Sequence, residues 1–549
     1  TRFKCDWSSD VCSSDLTKTS IDLKARSAWV LASTPQKQTM FPEGALTDDL
    51  TYGFNRAKLA WYVIDPLFLR STSTTPDHIK NNPKYQSDNL VREVYESELF
   101  PEKQTVVGQP TNIAVLDLAF YPSERGPYNF DVNPSTYSRG VNPDGSLRNP
   151  ETRWGGIMRK VETSDFEAAN IENIEFWMMD PFINDPDGKN KGGDLYFNLG
   201  DISEDVLKDS RKAFENGLPT KSLVENVDTT AWGRVSTLQS TVDEFDNSTQ
   251  SRRYQDLGFD GLNDDDENSF HKSYLDALKS IVNADALAKA VKDPSSDDYH
   301  YFRGSDYDQQ KLGILQRYKN YNGPDGNSPT AEMSPESYPT TASTAPDVED
   351  INGDNTLNEN ERYYQYKISL HRDDMVIGKN NIADIKEREV KLKAVLGGDS
   401  IVKVTWYQFK VPVKSPDGVY GSISDFKSIR FMRMFMHGFE KPTVLRFATL
   451  DLVRADWRKY TKDVDGKIST NTAANTQFDV SAVNIEENSS RKPIHYVLPP
   501  GVDREIDPNN TQLRQLNEQS MVLRTINLAE GDARAAYKTM SMDFRNYKK

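Results

Sequence analysis

The chain has 549 residues, which is enough for several domains with apolar cores of their own. Its 67 basic and 83 acidic residues give a formal net charge of -16, which argues against a nucleic-acid binder, because such a protein needs a basic face. Hydrophobic residues at 36% and aromatic residues at 10% indicate a folded chain, and no run of 18 apolar residues predicts a membrane-spanning helix.

The first residues are interpreted as a sequencing artefact. Residues 6–16 read DWSSDVCSSDL, which matches the translation of a common sequencing-library adaptor, so residues 1–16 are excluded from the fold prediction. An ordinary Ser- and Asp-rich tail is the alternative. Both cysteines, Cys5 and Cys12, lie in this stretch, so no disulfide or zinc-thiolate site is predicted for the remainder. The remainder is interpreted as an internal fragment of a longer protein.

Strand patterns dominate residues 17–215. β-Branched and aromatic residues alternate with polar ones between clusters of Gly, Pro, Asn and Asp, as in residues 58–63 and 114–121. We predict that residues 17–215 form a first β-sandwich domain.

Helical patterns follow. Apolar spacing and the breakers that come after it predict short helices over residues 201–215, 271–291 and 306–318. Residues 327–347 are rich in Ser, Thr and Pro, which predicts an extended connector. Residues 216–345 are therefore predicted to be a helical insert with a connector.

An internal repeat relates the two halves of the chain. Four strand-like segments recur in the same order, and Leu445-Arg-Phe447 lies 250 residues after Leu195-Tyr-Phe197. The segments begin at Leu116, Trp154, Ile174 and Leu195 in the first copy and at Tyr366, Trp406, Ile429 and Leu445 in the second. This spacing is typical of a jelly roll. The sequence therefore predicts a mainly β fold with a helical insert, in which two jelly-roll-like antiparallel β-sandwiches are related by the repeat. Chance similarity between two β-domains is the alternative.

The second β-sandwich domain is assigned to residues 346–460. Residues 461–549 are predicted to be a loop-rich C-terminal segment that leads into a missing remainder. Within this segment Asn510 is predicted to cap a short helix that runs through Leu516.

One loop carries oxygen ligands at the spacing of a calcium site. Its candidate ligands are Asp350, Asn352, Asp354, Thr356, Asn358 and Glu361. Asn355 occupies the position usually held by Gly, and Asn tolerates the left-handed backbone that this position requires. Because no flanking helix pair is predicted, a Ca²⁺ ion here would be structural and would tie the connector to the second sandwich. An Asx-turn loop without metal is the alternative.

Other chemical groups give weaker signals. The acidic run over residues 256–267 matches no standard cation cage and is interpreted as a solvated charge run. Trp154 and Trp177 could line a sugar site, but their place in repeated strands favours a core position. No catalytic motif is present, and the six histidines show no ligand spacing: His78, His271, His300, His371, His437 and His495. We therefore predict that the chain is not an enzyme and that it has no certain cofactor.

From about residue 40 to its end, the chain resembles the SprA (Sov) family. The resemblance rests on long strings, which are YGFNRAKLAW at 52–61, YPSERGPYNF at 121–130, GDLYFNLG at 193–200, QDLGFDGL at 255–262, DPSSDDYHYFRG at 293–304, SIRFMRMFM at 428–436 and YVLPPGV at 496–502. Such strings are far more specific than a short motif.

The resemblance implies a function in the type IX secretion system of Bacteroidetes. Members of this family form a very large outer-membrane channel through which folded cargo crosses, and they support gliding motility. The implied partners are secretion-system subunits and secreted cargo proteins, with attachment to the outer membrane through a barrel that lies outside this sequence. The implied location is the outer membrane or cell surface.

The residues themselves limit which part of such a channel this segment could be. It lacks sustained ten-residue alternating strands with aromatic girdles, so we expect a soluble cap or partner-docking region. Two other functions remain as alternatives. One is a secreted or cell-surface carbohydrate-binding β-sandwich, and the other is a glycoside hydrolase with two carboxylates across a cleft.

Overall fold

A computed structural model describes most of the chain. The described residues are 20–104, 112–215, 226–237, 244–245, 255, 258–321, 346–392, 401–455, 457–460, 476–491, 495–506, 515–528 and 533–538. The adaptor-like stretch at 1–16 lies outside the described residues, as do nearly all of the predicted connector and most of the helix predicted from Asn510 to Leu516.

The described strands have between 2 and 12 residues. In chain order they are β1 (Ser20–Asp22), β2 (Val30–Leu31), β3 (Ala57–Tyr62), β4 (Val94–Tyr95), β5 (Asn112–Ile113), β6 (Leu116–Arg125), β7 (Trp154–Lys160), β8 (Ile171–Met179), β9 (Gly193–Asp201), β10 (Val227–Thr229), β11 (Arg234–Ser236), β12 (Arg362–Leu370), β13 (Ile382–Lys391), β14 (Ile401–Pro412), β15 (Gly418–Tyr420), β16 (Phe431–His437), β17 (Thr443–Arg454), β18 (Arg458–Lys459), β19 (Gln477–Asn484), β20 (Gln519–Ile526) and β21 (Ala536–Tyr537).

The described helices are all short. They are α1 (Pro66–Leu69), α2 (Asp77–Lys80), α3 (Pro83–Ser87), α4 (Glu96–Leu99), α5 (Asp264–Phe270), α6 (Lys272–Lys279), α7 (Ala284–Lys292), α8 (Ser305–Gln309), α9 (Ile314–Tyr318) and α10 (Ile485–Asn488). Single 3-10 turns occur at Arg26–Ala28, Pro42–Ala45, Leu50–Gly53, Pro150–Thr152 and Arg372–Asp374.

Two large antiparallel sheets form the body of the molecule. The first has the strand order β13-β14-β8-β17-β6-β3, with β1 also paired to β17. The second has the order β15-β12-β9-β16-β7-β2. The sheets pack face to face, since the rings of Phe176 on β8 and Phe197 on β9 lie 5.8 Å apart between centroids. The main apolar core lies between them, and each large side chain buried there stabilises the fold by about 1.5–3 kcal/mol.

The eight repeat strands have the order of a jelly roll. In chain order they are β6, β7, β8, β9, β12, β14, β16 and β17. The first, eighth, third and sixth are neighbours in one sheet, and the second, seventh, fourth and fifth are neighbours in the other. This order belongs to a double-sheet jelly roll. The predicted mainly β, antiparallel, sandwich-like class is therefore confirmed.

The number of sandwiches differs from the prediction of separate domains at 17–215 and 346–460. Every neighbouring pair among the eight strands joins the first copy of the repeat to the second, as β8 does with β17. Two strands of the same copy are never adjacent, so one copy alone would leave its backbone N–H and C=O groups without strand partners. The two copies are consequently the two halves of one jelly roll.

Segments outside the jelly roll cover the outer face of the first sheet. Tyr318 on α9 stacks on Tyr62 of β3, with ring centroids 4.5 Å apart, and Phe302 packs beside them. On the same face, near the opposite edge of the sheet, Leu99 on α4 packs with Trp406 of β14. The predicted helical insert therefore folds back onto the sandwich rather than standing apart from it.

The predicted helix over residues 201–215 is wrong, because this segment is not helical. Two buried carboxylates take the backbone N–H groups that a helix would pair internally. Glu349 accepts hydrogen bonds from the N–H groups of Val206 at 2.7 Å and Ala213 at 2.9 Å, and Asp205 accepts from Ser210 at 2.9 Å. Side-chain acceptors competing for backbone donors are a known reason for acidic residues to leave helices.

The other two predicted helices are each interrupted. In the 271–291 segment, α6 ends at Lys279 and α7 begins after Asn283, whose side chain accepts a hydrogen bond from the N–H of Ala286 at 2.9 Å. In the 306–318 segment, Lys311 has a left-handed backbone with φ 54°, which separates α8 from α9. An Asn at an N-cap begins a new helix, and a left-handed residue ends one. The apolar spacing alone therefore overestimated the length of both helices.

Candidate functional sites

The predicted calcium loop is built from turns that use the side chains of its own aspartates. Asp350 accepts backbone N–H groups on both carboxylate oxygens, from Asp354 at 3.0 Å and from Asn355 at 2.8 Å. Asp354 accepts the N–H of Thr356 at 2.9 Å. Asn355 has the left-handed backbone that the sequence predicted, with φ 64°. The bond from Thr356 to Asp354 is that of an Asx turn. Each carboxylate oxygen has two lone-pair sites, so these bonds leave room for a cation at the same oxygens.

The remaining predicted ligands divide between two places. Asn352 belongs to the same turns, because its Nδ2 donates to Asp354 at 2.9 Å. Asn358 is turned away, and its Nδ2 donates to the carbonyl oxygen of Ile202 at 2.7 Å. Glu361 lies in the protein interior. The structure thus brings Asp350, Asn352, Asp354 and Thr356 together but not Asn358 and Glu361, and a calcium ion at this loop stays a prediction.

Glu361 forms a buried ion pair with Arg433 of β16. Two hydrogen bonds of 2.8 and 3.1 Å join the guanidinium to the two carboxylate oxygens, and both side chains are fully buried. The backbone N–H of Ser203 also donates to Glu361 at 3.1 Å. Two parallel bonds suit the fork of an arginine, and they compensate charges that would be costly to bury alone. Glu361 therefore links β12, β16 and the end of β9.

A second acidic region brings three carboxylates together. Asp260 precedes α5, Glu267 lies on α5 and Asp297 follows α7. Within the described ranges these three are the one group of possible metal-binding side chains whose ligand atoms all lie within 4.8 Å of one another. All three are buried, with exposed fractions of 1%, 2% and 5%. Hereafter they are called the carboxylate trio.

Hydrogen bonds from one serine hold two members of the trio in place. The hydroxyl of Ser295 donates to Asp260 at 2.5 Å, and its backbone N–H donates to Glu267 at 2.9 Å. Arg125 lies nearby, but its guanidinium is bound to the carbonyl oxygens of Asp293 and Pro294. If all three carboxyls were ionised, three negative charges would share one buried site.

Burial and mutual repulsion keep the trio from ionising completely. Burial, followed by weaker contributions from neighbouring carboxylates, raises the pKa of Asp260 to about 7 and the pKa of Glu267 to about 10. The same causes raise the pKa of Asp297 well above its usual range. Such a group either keeps protons at neutral pH or could hold a divalent cation, for which carboxylate oxygens are suitable ligands.

The sequence did not reveal the trio. The run over residues 256–267 was interpreted as solvated, and this holds for Asp264 and Asp265, which are exposed. It is wrong for Asp260 and Glu267, which are buried. The third carboxylate, Asp297, comes thirty residues after Glu267, beyond two helices, so no local spacing could have indicated it.

Trp154 and Trp177 are both buried, with exposed fractions of 0% and 2%. This confirms the core position favoured by their place in repeated strands. Neither ring is available to line a surface sugar site. Of the aromatic residues that the structure describes, Tyr537 is the one with an exposed side chain.

Exposed apolar side chains concentrate in the C-terminal region. Of the eleven large exposed hydrophobic residues in the described part of the chain, six lie between residues 497 and 537. They are Val497, Ile506, Met521, Leu523, Leu528 and Tyr537. Exposed apolar side chains that cluster on a folded protein commonly mark an interaction site. Two of the six, Met521 and Leu523, lie on β20 of the two-stranded β19–β20 sheet, which is called the C-terminal hairpin below.

A cleft of about 1370 Å³ separates this hairpin from one end of the jelly roll. The jelly-roll wall includes the start of β8 and the ends of β14 and β17. The opposite wall includes β19, β20 and α10. Its size falls just above the range usual for pockets that hold small molecules, so a larger ligand also fits.

A family model named SprA_N and described as motility related/secretion protein matches residues 273–549. This span takes in the later part of the helical insert, the second half of the jelly roll and the C-terminal hairpin. No curated protein matches the chain. Across the described residues, none of the helices combines the length and the apolar character needed to cross a bilayer.

Proposed function

Because the chain belongs to the SprA_N family of motility related and secretion proteins, we propose that it is a non-enzymatic structural segment of a large outer-membrane protein-translocation channel. The channel is that of type IX secretion and gliding motility, and this segment is its soluble cap or partner-docking region. Its partners are secretion-system subunits and secreted cargo. It is held at the outer membrane or cell surface by a barrel outside this sequence.

The docking role rests on one observation, the concentration of exposed apolar side chains in the C-terminal region. Met521 and Leu523 are 39% and 52% exposed on β20. A partner that covers these side chains removes apolar surface from water, which stabilises the complex.

The proposal is tested in cells whose own copy of the gene carries the change. Met521→Lys combined with Leu523→Lys places two charges on the docking surface without touching the jelly-roll core. We expect wild-type protein levels, with secretion of folded cargo and gliding both reduced about tenfold or more. The matched control is Val419→Lys, at a residue 53% exposed on β15, and it should leave both unchanged. Normal secretion and gliding in the double variant would overturn the docking role.

A further inference from the structure

One dipeptide of the loop at 350–361 combines a reactive amide with a small neighbour. Asn352 is partly exposed, and Gly353, which follows it, is exposed and has a left-handed backbone with φ 72°. A Cβ added to Gly353 would meet none of the described atoms within 4 Å. Because glycine carries no side chain, its backbone nitrogen can approach the amide of the preceding side chain more closely than that of other residues.

The neighbouring asparagines of the loop lack this combination. Asn355 and Asn358 are each followed by a residue with a side chain. Asn358 is also buried, and its Nδ2 donates to the carbonyl oxygen of Ile202 at 2.7 Å. Among the residues that the structure describes, Asn352 is the one asparagine that is followed by glycine. It therefore stands apart from the other side-chain amides of the same segment.

The contacts of the Asn352 amide show what it does in the loop. Its Oδ1 accepts the backbone N–H of Asp354 at 2.8 Å, and its Nδ2 donates to Oδ2 of Asp354 at 2.9 Å. The same Oδ2 accepts a hydrogen bond from Arg430 at 3.0 Å. An oxygen in place of Nδ2 would put two acceptors, both negatively charged, where a hydrogen bond now joins the two side chains.

We propose that Asn352 is a site of spontaneous deamidation and that its products open the turn with Asp354. The backbone nitrogen of Gly353 forms a bond to Cγ of Asn352, and the Cγ–Nδ2 bond breaks. Nδ2 leaves as ammonia with the proton that the backbone nitrogen carried. Water then opens the resulting five-membered imide at either carbonyl carbon. Opening at Cγ gives aspartate, and opening at the backbone carbonyl gives isoaspartate, which adds one methylene to the main chain.

Either product removes the donor that Asn352 provides to Asp354. The hydroxyl of Thr356 first, and the amide of Asn352 as a weaker contribution, keep the pKa of Asp354 below its usual value. After deamidation, Arg430 has two carboxylates beside it instead of one. The turn therefore loses a hydrogen bond and gains a repulsion, and we expect its open form to become more populated.

The first test follows the reaction in the full chain by peptide mapping. The protein is kept at about pH 8 and about 37 °C for about four weeks, and cleavage after glutamate then releases residues 350–359. Replacing an amide by a carboxyl raises the peptide mass by about 1 Da, and fragmentation locates the change. We expect Asn352 to be modified about tenfold or more faster than Asn355 or Asn358, whose followers have side chains. Equal rates, or an unmodified Asn352, would overturn the proposal.

The second test measures the effect on the turn, with chelator present. Asn352→Asp reproduces the aspartate product. The matched control is Asn360→Asp, which adds the same charge at an exposed residue whose Nδ2 donates to the amide oxygen of Asn358 rather than to a carboxylate. We expect chymotrypsin to cleave after Leu357 about tenfold faster in Asn352→Asp than in the wild type, and less than about threefold faster in the control. Equal rates in the two variants would contradict the opening of the turn.

Discussion

The loop at 350–361 and the carboxylate trio are both acidic, yet their carboxylates meet different partners. In the loop, Asp350 and Asp354 accept backbone N–H groups, and Glu361 binds Arg433. In the trio, three buried carboxylates lie within 4.8 Å of one another. The loop has the ligand spacing of a calcium site without the convergence of all its ligands, and the trio has the convergence without the spacing.

The difference shows that ligand spacing along a chain does not by itself predict that the ligand atoms meet at one point. Alternate residues of a turn can direct oxygens to one point, but the same oxygens are also the best acceptors for the N–H groups of that turn. Burial of the trio removes water as a competitor, and helices on either side bring its members together. Whether ligand atoms converge therefore depends on packing, and this can be tested at both the loop and the trio.

The largest expected effect is on the ion pair of the loop. Arg433→Met would leave Glu361 buried without its partner, and we expect the free energy of unfolding to fall by about 3–5 kcal/mol in urea titrations. Arg430→Met is the control, because its pair with Asp354 is partly exposed, and it should cost less than about 1 kcal/mol. Equal effects of the two variants would mean that Glu361 is not held as described.

The next effect concerns the trio. Burial first, then neighbouring carboxylates, raises the pKa of Glu267 to about 10, above the reference value of 4.5. The unfolded carboxyl therefore releases its proton first, and the stability is full below about pH 4.5 and falls as the pH rises toward 10. Glu267→Gln should remove this loss and be about 2–3 kcal/mol more stable than the wild type at pH 8 with chelator present.

The matched control for this variant is Asp265→Asn, at an exposed position of the same helix. It should change the free energy of unfolding by less than about 0.5 kcal/mol at both pH 4.5 and pH 8. A wild-type pH dependence identical to that of Glu267→Gln would contradict the arrangement of the trio, since it would mean that Glu267 ionises normally in the folded protein.

A smaller effect is expected at His271, which follows α5 and packs against Phe130 with ring centroids 4.2 Å apart. Burial lowers the pKa of His271 to about 4, below its reference value of 6.5. The unfolded imidazole then binds a proton first, so stability is present above pH 6.5 and lost as the pH falls toward 4. Relative to His271→Phe, the wild type should lose about 1–2 kcal/mol over this range, measured by urea unfolding.

The control for that measurement is His371→Gln, at a side chain that is 45% exposed, and we expect it to change the free energy of unfolding by less than about 0.5 kcal/mol. If His371→Gln removes as much of the dependence as His271→Phe, the buried imidazole is not its source.

The smallest effect is expected from calcium at the loop. If the spacing is correct, about 1 mM Ca²⁺ raises the Tm of the wild type but not that of Asp350→Asn. We expect the two responses to differ by about 2 °C or more, because Asp350 is the first ligand of the predicted site. Equal responses would favour the metal-free loop, whereas a calcium response abolished by Glu267→Gln alone would assign it to the trio.

The sequence predicted the strands better than it predicted the candidate sites. Periodicity identified the strands around Leu116, Trp154 and Leu445 because alternation of side chains is a local property of a strand. Helix lengths were overestimated, since the cap at Asn283 and the carboxylates that capture the 206–213 backbone act against the apolar pattern. The trio escaped prediction because its members come from three separate elements.

The sequence by itself determined that the protein is mainly β, that its strands recur in two copies of jelly-roll type, and that a helical insert lies between them. Tertiary structure alone decided that the two copies make one sandwich and that Glu361 pairs with Arg433 inside it. The physical reason is the same in each case. Strand alternation is written in neighbouring residues, whereas pairing, burial and charge compensation depend on contacts between residues far apart in the chain.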